Sequence, residues 1–585
     1  MPRETLSTGT SFGESVVRHD TSTRGITLSQ SYGQSLLDDP NTPPSAVQEP
    51  PDMWSWSHAA LYAHYACIGV VNGLLTQALL PFCLYVAHGE PNTCATVSTF
   101  VNLPWGYKIL YGMLADCVPI FGLHRKPYMI IGWSLTWAIA LFFALLESID
   151  LQLASSLFLI MTIAYLMADC AADAALVGLS TREPMDTRGS ILSTAYCIRF
   201  VFNILSAAVI AFLYNGPPTC GDFDFGLSTQ QLMWVVVVVV GFLMGLTLPF
   251  YCEDKPPQPV PKLSDRLVQL HKLLQQPAVY RLILALTLTT ATALITNQAQ
   301  TNANKEWFHI EPLQLGLSTC FQNIMLAVGT YAYKRYLLNY SWRKTYAFGI
   351  LGMQAFNLLY LLTVYFPEFK NGWWYIFTQV DMEFAYAFTF VIGIIIVPEI
   401  TLPGYEGIIY GAITTFSNQA QNITNAINNL LLSIWPSNAD NAALAVCKLP
   451  EDDTDHVSQL SALPPNCAVS LPPPPPSTPL PAPLGPPPPA PDLPTCEVVQ
   501  THMLYLTLLS VGLACSSLAF LFLLPSQKAH VRELASRPRS PMAGVFMGLL
   551  LLVLVVVGTV FAVLPIVPSL ACLRIAGGTG CSGSD

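Results

Sequence analysis

The sequence predicts an all-α polytopic membrane protein, and three observations support this. Apolar residues make up 52% of the 585 residues and charged residues only 11%, whereas a soluble protein carries about 25% charged residues. Thirteen apolar runs reach the roughly 20 residues that a helix needs to cross a bilayer core of about 30 Å. These runs lack the alternation of apolar and polar residues that is typical of membrane β-barrels, which excludes that class.

The predicted spans form two groups of six, followed by one extra helix. They lie near 58–86, 94–121, 127–147, 152–179, 190–214, 230–251, 281–300, 314–333, 345–366, 373–398, 405–435, 501–524 and 543–572. We therefore expect six-helix halves over 53–251 and 281–535, a cytoplasmic linker over 252–280, and an extra transmembrane helix and tail over 536–585. This arrangement resembles the major facilitator-type bundle, in which two parallel halves enclose a site near the bilayer midplane.

Lys and Arg residues predict the orientation, because cytoplasmic loops are enriched in them. With the amino terminus in the cytoplasm, 20 of the 26 basic residues fall in the amino-terminal tail or in cytoplasmic loops. Lys108 and Arg199 lie inside spans. The remaining basic residues face the other side: Lys305, Lys370, Lys448 and Arg574.

Two segments are predicted to lie outside the helix bundle. Residues 1–52 are rich in Ser, Thr and Gly, lack the apolar core of a signal peptide, and predict a disordered cytoplasmic tail. Residues 436–500 form a Pro-rich non-cytoplasmic loop, and the 16 prolines within 464–494 favour a stiff extended spacer over a specific docking ligand. Disulfide pairing is open among the three cysteines of this loop, which are Cys447, Cys467 and Cys496.

The loop between the second and third spans carries a predicted gate. Asp116 follows Gly112 at the end of a span, and Arg125 and Lys126 come after a short turn. A carboxylate and paired cations in this order can form charge-assisted hydrogen bonds at the cytoplasmic mouth. We assign these residues to gating; a solvated Asp in an ordinary positive loop is the alternative.

Four segments carry a family resemblance. They read LPWGYKILYGMLAD at 103–116, ADCAADAALV at 168–177, PEITLPGYEG at 398–407 and LPSQK at 524–528. Together they resemble the folate–biopterin transporter family of the major facilitator superfamily. The resemblance implies a folate, biopterin or related pterin-like substrate.

Charged residues inside the spans are the candidates for substrate binding and coupling, because a charge at the bilayer centre costs about 2.5–3.5 kcal/mol. Lys108 comes four residues after a proline that is expected to kink its helix. Asp169 and Asp173 are one helical turn apart and share a face, and Arg199 and Asp381 occupy later spans. We expect the cations to meet carboxylate or ring oxygens, and the acids to bind ring N–H groups or carry a coupling proton. The alternative is a set of internal ion pairs that hold the amino-terminal half together.

Amide side chains crowd the eleventh span, at positions 418, 419, 421, 422, 425, 428 and 429. They are interpreted equally well as ligand contacts and as hydrogen bonds between helices.

These features predict a secondary active transporter that works by alternating access, is coupled to protons and uses no ATP. The alternatives are a cation-coupled carrier of sugars or another metabolite, and a non-transporting receptor or scaffold.

The sequence shows no catalytic triad, metal-ligand spacing or phosphate loop, so we expect no enzyme, cofactor or metal site. The expected partners are a small solute, the lipid bilayer and protons, but no nucleic acid. We place the protein in the plasma membrane, with an organelle membrane as the alternative.

Overall fold

A computed structural model describes most of the predicted bundle. The described residues are 51–88, 91–219, 221–253, 263–297, 299–300, 303, 307, 312–434, 444, 447, 494–567, 569–570 and 572–576. Nearly all of the predicted tail at 1–52 and most of the Pro-rich loop lie outside them. The described part of the chain is helical, and its β pairing is limited to an isolated bridge between Ile120 and Leu123.

The main helices are numbered here in chain order. They are α1 (Trp56–Pro81), α2 (Pro91–Asn102), α3 (Lys108–Cys117), α4 (Lys126–Leu145), α5 (Leu151–Ser180), α6 (Ser190–Leu213), α7 (Thr229–Thr247), α8 (Leu263–Leu274), α9 (Pro277–Ala293), α10 (Pro312–Ala332), α11 (Trp342–Leu359), α12 (Gly372–Ile395), α13 (Glu406–Leu432), α14 (Cys496–Cys515), α15 (Lys528–Ala535) and α16 (Pro541–Val563). Several of them continue into short 3-10, π- or α-helical segments.

Nine helical segments among the described residues are long and apolar enough to cross a membrane, which confirms the all-α polytopic class. They are Trp56–Val86, Lys126–Leu145, Leu151–Ser180, Ser190–Leu213, Thr229–Phe250, Trp342–Tyr365, Gly372–Ile400, Cys496–Phe522 and Pro541–Ile566. The other four predicted spans coincide with helices that are broken, shorter or more polar than these nine. The α2–α3 span is broken, α9 has only 17 residues, and α10 and α13 carry many amide and hydroxyl side chains. The count of six, six and one therefore stays a prediction.

The break between α2 and α3 is a 3-10 segment, Leu103–Tyr107. Pro104 has no backbone N–H, so it cannot donate the hydrogen bond that a continuous α-helix would need at this position. The break lies where the sequence predicts a kink. The carbonyl groups that are freed are not left unpaired, because α13 supplies donors. Asn418 donates to the Trp105 carbonyl at 2.6 Å, and Gln419 donates to the Gly106 carbonyl at 3.0 Å.

Helix packing places the two predicted halves side by side. Within the first half, α1 packs on α6 and α7, and α4 packs on α5 and α7. Within the second, α12 packs on α10 and α11, and α9 packs on α13. The contacts between the halves are made mainly by α6 with α10 and by α3 with α13. The extra helix α16 packs on α13 and α8.

Two disulfides join residues that the structure describes, and both lie on the side that is predicted to be non-cytoplasmic. Cys83 is bonded to Cys94 and links the end of α1 to α2. Cys447 is bonded to Cys496 at the start of α14, which selects one pairing for the Pro-rich loop. Cys252, on the predicted cytoplasmic side, is exposed and unpaired. Disulfides persist in oxidising compartments, and the orientation that places these bonds on such a side stays a prediction.

Candidate functional site

The centre of the site is a buried ion-pair cluster in the first half. Lys108 begins α3, directly after the 3-10 break, and is only 2% exposed. Its Nζ atom lies 2.6 Å from Oδ2 of Asp169 and 3.1 Å from Oδ2 of Asp173. Both aspartates are fully buried on α5, four residues apart, so one ammonium group reaches both carboxylates.

Each carboxylate has a further partner. The Tyr65 hydroxyl donates to Oδ1 of Asp173. Arg199 Nη1 lies 4.0 Å from Oδ1 of Asp169. Two cations therefore face two anions, and the cluster is neutral overall. Neutrality matters here, because a buried charge without a partner is strongly destabilising.

His64 on α1 lies beside the cluster. The Trp133 indole N–H donates to His64 Nδ1 at 2.8 Å, so that nitrogen is the acceptor and the proton resides on Nε2. Nε2 lies 3.9 Å from Oδ1 of Asp169 and makes no hydrogen bond within the described residues. Asp169 Oδ1 has no hydrogen-bond donor there either. His64 Nε2 and Arg199 Nη1 thus both lie about 4 Å from Asp169 Oδ1, which is beyond hydrogen-bond distance.

Aromatic rings surround the two cations. Lys108 Nζ lies 4.9 Å from the centroid of the Trp105 ring and 5.5 Å from that of Tyr410. Arg199 Cζ lies 5.5 Å from the Trp105 centroid and 5.8 Å from that of Tyr196. The Tyr196 and Tyr410 hydroxyls are 2.6 Å apart, and they belong to different halves. A cation beside an aromatic face is stabilised by the ring quadrupole, so Trp105 contributes to holding both cations.

The predicted gate residues Asp116 and Arg125 are brought together. Arg125 forms an ion pair with Asp116 and also lies 3.0 Å from Oε2 of Glu406, at the start of α13. The backbone N–H of Ile408 donates to Asp116 at 2.8 Å. The network therefore ties the loop of the first half to α13 of the second half by charge-assisted hydrogen bonds.

Gly112 allows this close approach. A Cβ atom at Gly112 would lie 2.1 Å from the carbonyl oxygen of Gly407. That contact is with backbone, which cannot move aside as a flexible side chain could. The signature glycine is thus required sterically where α3 crosses α13.

Lys126 lies outside the Asp116 network. Its ammonium group donates to the carbonyl groups of Pro249 and Tyr251 at 2.9 and 2.7 Å. The Glu253 carboxylate accepts from the backbone N–H groups of 124–126. This carboxylate holds the amino-terminal end of α4, where negative charge is favourable.

A second buried cluster of charged residues joins the two predicted halves, on the predicted cytoplasmic side where the Asp116 network also lies. Arg188, just before α6, lies 3.5 Å from Glu399. The Lys528 ammonium group donates to the carbonyl groups of Met185 and Arg188 at 2.8 and 2.9 Å. Burial lowers the pKa of Lys528, with the nearby Glu399 carboxylate opposing that shift.

Glu183 organises the loop that carries Arg188. Its carboxylate accepts from Ser180 Oγ at 2.6 Å and from the backbone N–H groups of Gly189 and Ile191 at 2.9 and 3.0 Å. Burial raises the pKa of Glu183 above its ordinary value, and these hydrogen bonds oppose the rise.

Asp381 is not part of the Lys108 cluster. It lies on α12, partly exposed, and makes no ion pair with the residues that the structure describes. Close to it in sequence, Gln379 and Met382 line a cavity of about 120 Å³ that is bounded by α11, α12 and the segment that follows α9.

The amides of α13 serve several neighbours. Besides Asn418 and Gln419, which hold the 3-10 break, Asn428 accepts from the backbone N–H of Thr296 at 3.1 Å, and Asn429 donates to the Ile575 carbonyl at 3.3 Å. In this conformation these four amides make hydrogen bonds to neighbouring segments.

Sequence reasoning missed several residues of these clusters. His64, Tyr65 and Tyr196 lie in spans with few or no charges, and no local pattern singles them out. Glu399 and Lys528 were noticed only as parts of motifs. A histidine inside an otherwise apolar span was the one signal for His64.

The comparison with known proteins settles the family. Residues 68–470 match the family model described as the BT1 family. The chain belongs to the BT1 family. Among the relatives of this BT1 chain is Folate transporter 1 of Plasmodium falciparum, 22% identical over 372 residues, which cover 60% of this chain and 69% of the relative.

Two further relatives carry related names. The Folate-biopterin transporter of a Synechocystis strain is 22% identical over 407 residues, covering 67% of this chain and 78% of that protein. The Probable folate-biopterin transporter 2 of Arabidopsis thaliana is 28% identical over 149 residues, covering 25% and 30%. In that last case the matched region is about a third of the relative's length.

Proposed function

We propose that this BT1-family protein is a secondary transporter that moves folate, biopterin or a related pterin-like solute across a membrane. The observation that carries the proposal is the neutral buried cluster of Lys108, Arg199, Asp169 and Asp173, with the Trp105 ring beside both cations. The names of the relatives support the substrate class.

The cluster suits an anionic or oxygen-bearing flat solute. A carboxylate or ring oxygen can replace an aspartate as the partner of Lys108 or Arg199, so that the cations stay paired throughout. The Trp105 and Tyr410 rings offer faces on which a heterocycle can stack. Asp381 would contact the solute only after a rearrangement, because it lies apart from the cluster in this conformation.

Alternating access requires the two halves to separate at one end. The Asp116–Arg125–Glu406 network joins the halves on the predicted cytoplasmic side. We therefore assign Asp116, Arg125 and Gly112 to the gate, whose opening exposes the site to the cytoplasm. Lys126 fixes the loop beside the gate.

Proton coupling follows from competition within the cluster. When a solute anion takes Lys108 or Arg199, the displaced Asp169 or Asp173 becomes an unpaired buried carboxylate and is best accommodated by taking a proton. Solute occupancy and protonation are thereby linked. Because one proton accompanies one solute carboxylate, this step moves no net charge, so the pH gradient and not the membrane potential would drive accumulation.

Uptake of labelled folate, biopterin and a panel of sugars into transport-deficient cells tests the proposal. We expect saturable uptake of folate or biopterin by cells that express the protein, and its loss in the charge-balanced double variant of Lys108→Met with Asp173→Asn. The exposed Arg537→Met serves as the control for loss of a cation. Uptake of sugars alone would indicate a carrier of another class, and binding without uptake would indicate a receptor.

We further propose that the chain forms two six-helix halves, 53–251 and 281–535, joined by the linker 252–280 and followed by the extra helix within 536–585, with the amino terminus in the cytoplasm. The plasma membrane is the proposed location. The arrangement of basic residues and the two disulfides on one side support the orientation.

A further inference from the structure

The extra helix α16 contacts the segment that carries the site. It lies outside the residues 68–470 that match the family. Thr559 is the one residue of this helix with a polar side chain. The Thr559 hydroxyl lies 2.7 Å from the hydroxyl of Tyr107, the last residue of the 3-10 break.

A glycine on the same turn makes the second contact. A Cβ atom at Gly558 would lie 2.2 Å from Gln419 Oε1 and 3.1 Å from the Gln419 carbonyl oxygen. On the opposite side of this amide, a Cβ atom at Gly106 would lie 2.6 Å from Gln419 Nε2. Gln419 is therefore held between two glycines, in the position from which it donates to the Gly106 carbonyl.

These contacts reach the cations of the site through a short path. Trp105 and Lys108 flank the Gly106–Tyr107 pair along the chain, and the Trp105 ring lies beside both Lys108 and Arg199. A displacement of the 3-10 segment would therefore move the ring and the ammonium group together.

Both ends of α16 are also anchored. The Ser540 N–H donates to the Gln275 carbonyl in the linker at 2.9 Å, and Thr96 on α2 donates to the Pro565 carbonyl at 2.9 Å. The lipid-facing side of the helix is apolar, with Leu552 60% exposed. A helix that served only to fill lipid-facing space would need neither polar contact near Tyr107 nor a glycine against Gln419.

We propose that α16 positions the 3-10 segment 103–107, and that Thr559 and Gly558 are positioning residues for solute binding at Trp105 and Lys108. The transport readout of this inference rests on the proposed function. Gly558→Ala forces the Gln419 side chain away from Gly106 and frees the Gly106 carbonyl. Thr559→Val keeps the shape of the side chain and removes the hydrogen bonds of its hydroxyl to Tyr107 and to the Val555 carbonyl.

The experiment compares Gly558→Ala, Thr559→Val and the control Gly548→Ala in the full chain. Gly548 lies on the same helix, where a Cβ atom meets nothing within 4 Å. KM and Vmax for labelled folate and biopterin are measured and normalised to the amount of protein in the membrane. We expect KM to rise about 5- to 10-fold for Gly558→Ala and about threefold for Thr559→Val, with Gly548→Ala unchanged. Unchanged KM values in both variants, or equal changes in all three, would overturn the inference.

A readout without solute separates this inference from the proposed function. The thermal unfolding of ligand-free protein is measured for Tyr107→Phe, Thr559→Val and their combination. We expect the double variant to lose no more stability than the worse single variant, because the Tyr107–Thr559 hydrogen bond is already absent from each single variant. Additive losses would show that the two hydroxyls do not interact and would refute the positioning contact. Non-additive losses in a protein that takes up neither folate nor biopterin would refute the proposed function alone.

Discussion

The Asp116 carboxylate accepts a hydrogen bond from the backbone N–H of Ile408, which lies 292 residues further along the chain and in the other predicted half. Arg125 pairs with the same carboxylate and with Glu406. Because Gly112 and Gly407 bring the backbones of α3 and α13 into contact here, we expect the network to form only when the two predicted halves are closed at this end.

Asp116→Asn should therefore change turnover far more than solute affinity. The amide still accepts from Ile408 but loses the ion pair with Arg125. A hydrogen bond to a charged group contributes about 1.5–3 kcal/mol, so the balance between closed and open states should shift about 10- to 140-fold. Transport rate and equilibrium binding of folate are measured in parallel. Loss of binding in a well-folded Asp116→Asn variant would place this residue in the solute site instead.

Lys108→Met should destabilise the folded protein strongly, because it leaves two buried carboxylates with one cation. We expect a loss of about 3–5 kcal/mol. Adding Asp173→Asn restores neutrality and should recover much of the unfolding temperature, although not transport. The exposed Arg537→Met is the control for loss of a cation. If the double variant is less stable than Lys108→Met alone, charge balance is not what holds the cluster.

The coupling proposal predicts that one aspartate can be neutralised without stopping exchange. In Asp169→Asn or Asp173→Asn, accumulation driven by a pH gradient should be abolished, while exchange of labelled for unlabelled solute between the two sides continues. The comparison is made in vesicles with an imposed pH gradient and without one. If uptake driven by the pH gradient persists in both variants, the two aspartates have a structural role and do not carry the coupling proton.

We expect Glu183 to make a pH-dependent contribution to the free energy of unfolding. Burial raises the pKa of its carboxyl above the ordinary 4.5, so the folded protein holds this proton more tightly than the unfolded chain does. The contribution is thus fully present below pH 4.5 and is lost as the pH rises through the raised pKa. The unfolding temperature of the wild type relative to Glu183→Gln should fall across that interval.

Glu533→Gln is the control for this measurement. Glu533 is fully exposed beside Arg537, which lowers its pKa. Its contribution, screened by solvent, is lost as the pH falls rather than rises, so the slope has the opposite sign and is small. The same falling slope in both comparisons would contradict the assignment to Glu183.

Cysteine labelling tests the orientation. Cys252 follows α7 on the predicted cytoplasmic side and is exposed, whereas Ser569, after α16, is exposed and is predicted to lie on the other side. In sealed cells with the protein at the surface, an impermeant maleimide should label Ser569→Cys and leave Cys252 unlabelled until the membrane is opened. Labelling of Cys252 first would reverse the orientation.

The fold class was predictable because span length and charge distribution are local properties of the sequence. The broken second span was also foreseeable, since Pro104 removes a helical donor in any context. Which side chains pair with one another in the folded protein was not foreseeable. That Arg125 reaches Glu406, or that Tyr65 bonds Asp173, depends on how α1, α5 and α13 pack, and sequence separation carries no information about it.

Neutral site residues were the hardest to find. A charged residue within an apolar span is conspicuous because its insertion is costly, which pointed to Lys108 and Arg199. A buried tyrosine such as Tyr196 reads as ordinary packing, and its hydroxyl gains meaning only once Tyr410 stands opposite. The position of Gln419 between two glycines is likewise a property of three helices and not of any one.

The Cys447–Cys496 disulfide closes the chain between α13 and α14 into a covalent ring. A protease that cuts the polypeptide anywhere between these cysteines opens the ring without releasing a fragment. The two pieces remain one molecule of nearly unchanged mass until a reductant is added. The carrier could thus be clipped within its proline-rich stretch and still keep α14 covalently joined to the rest of the bundle.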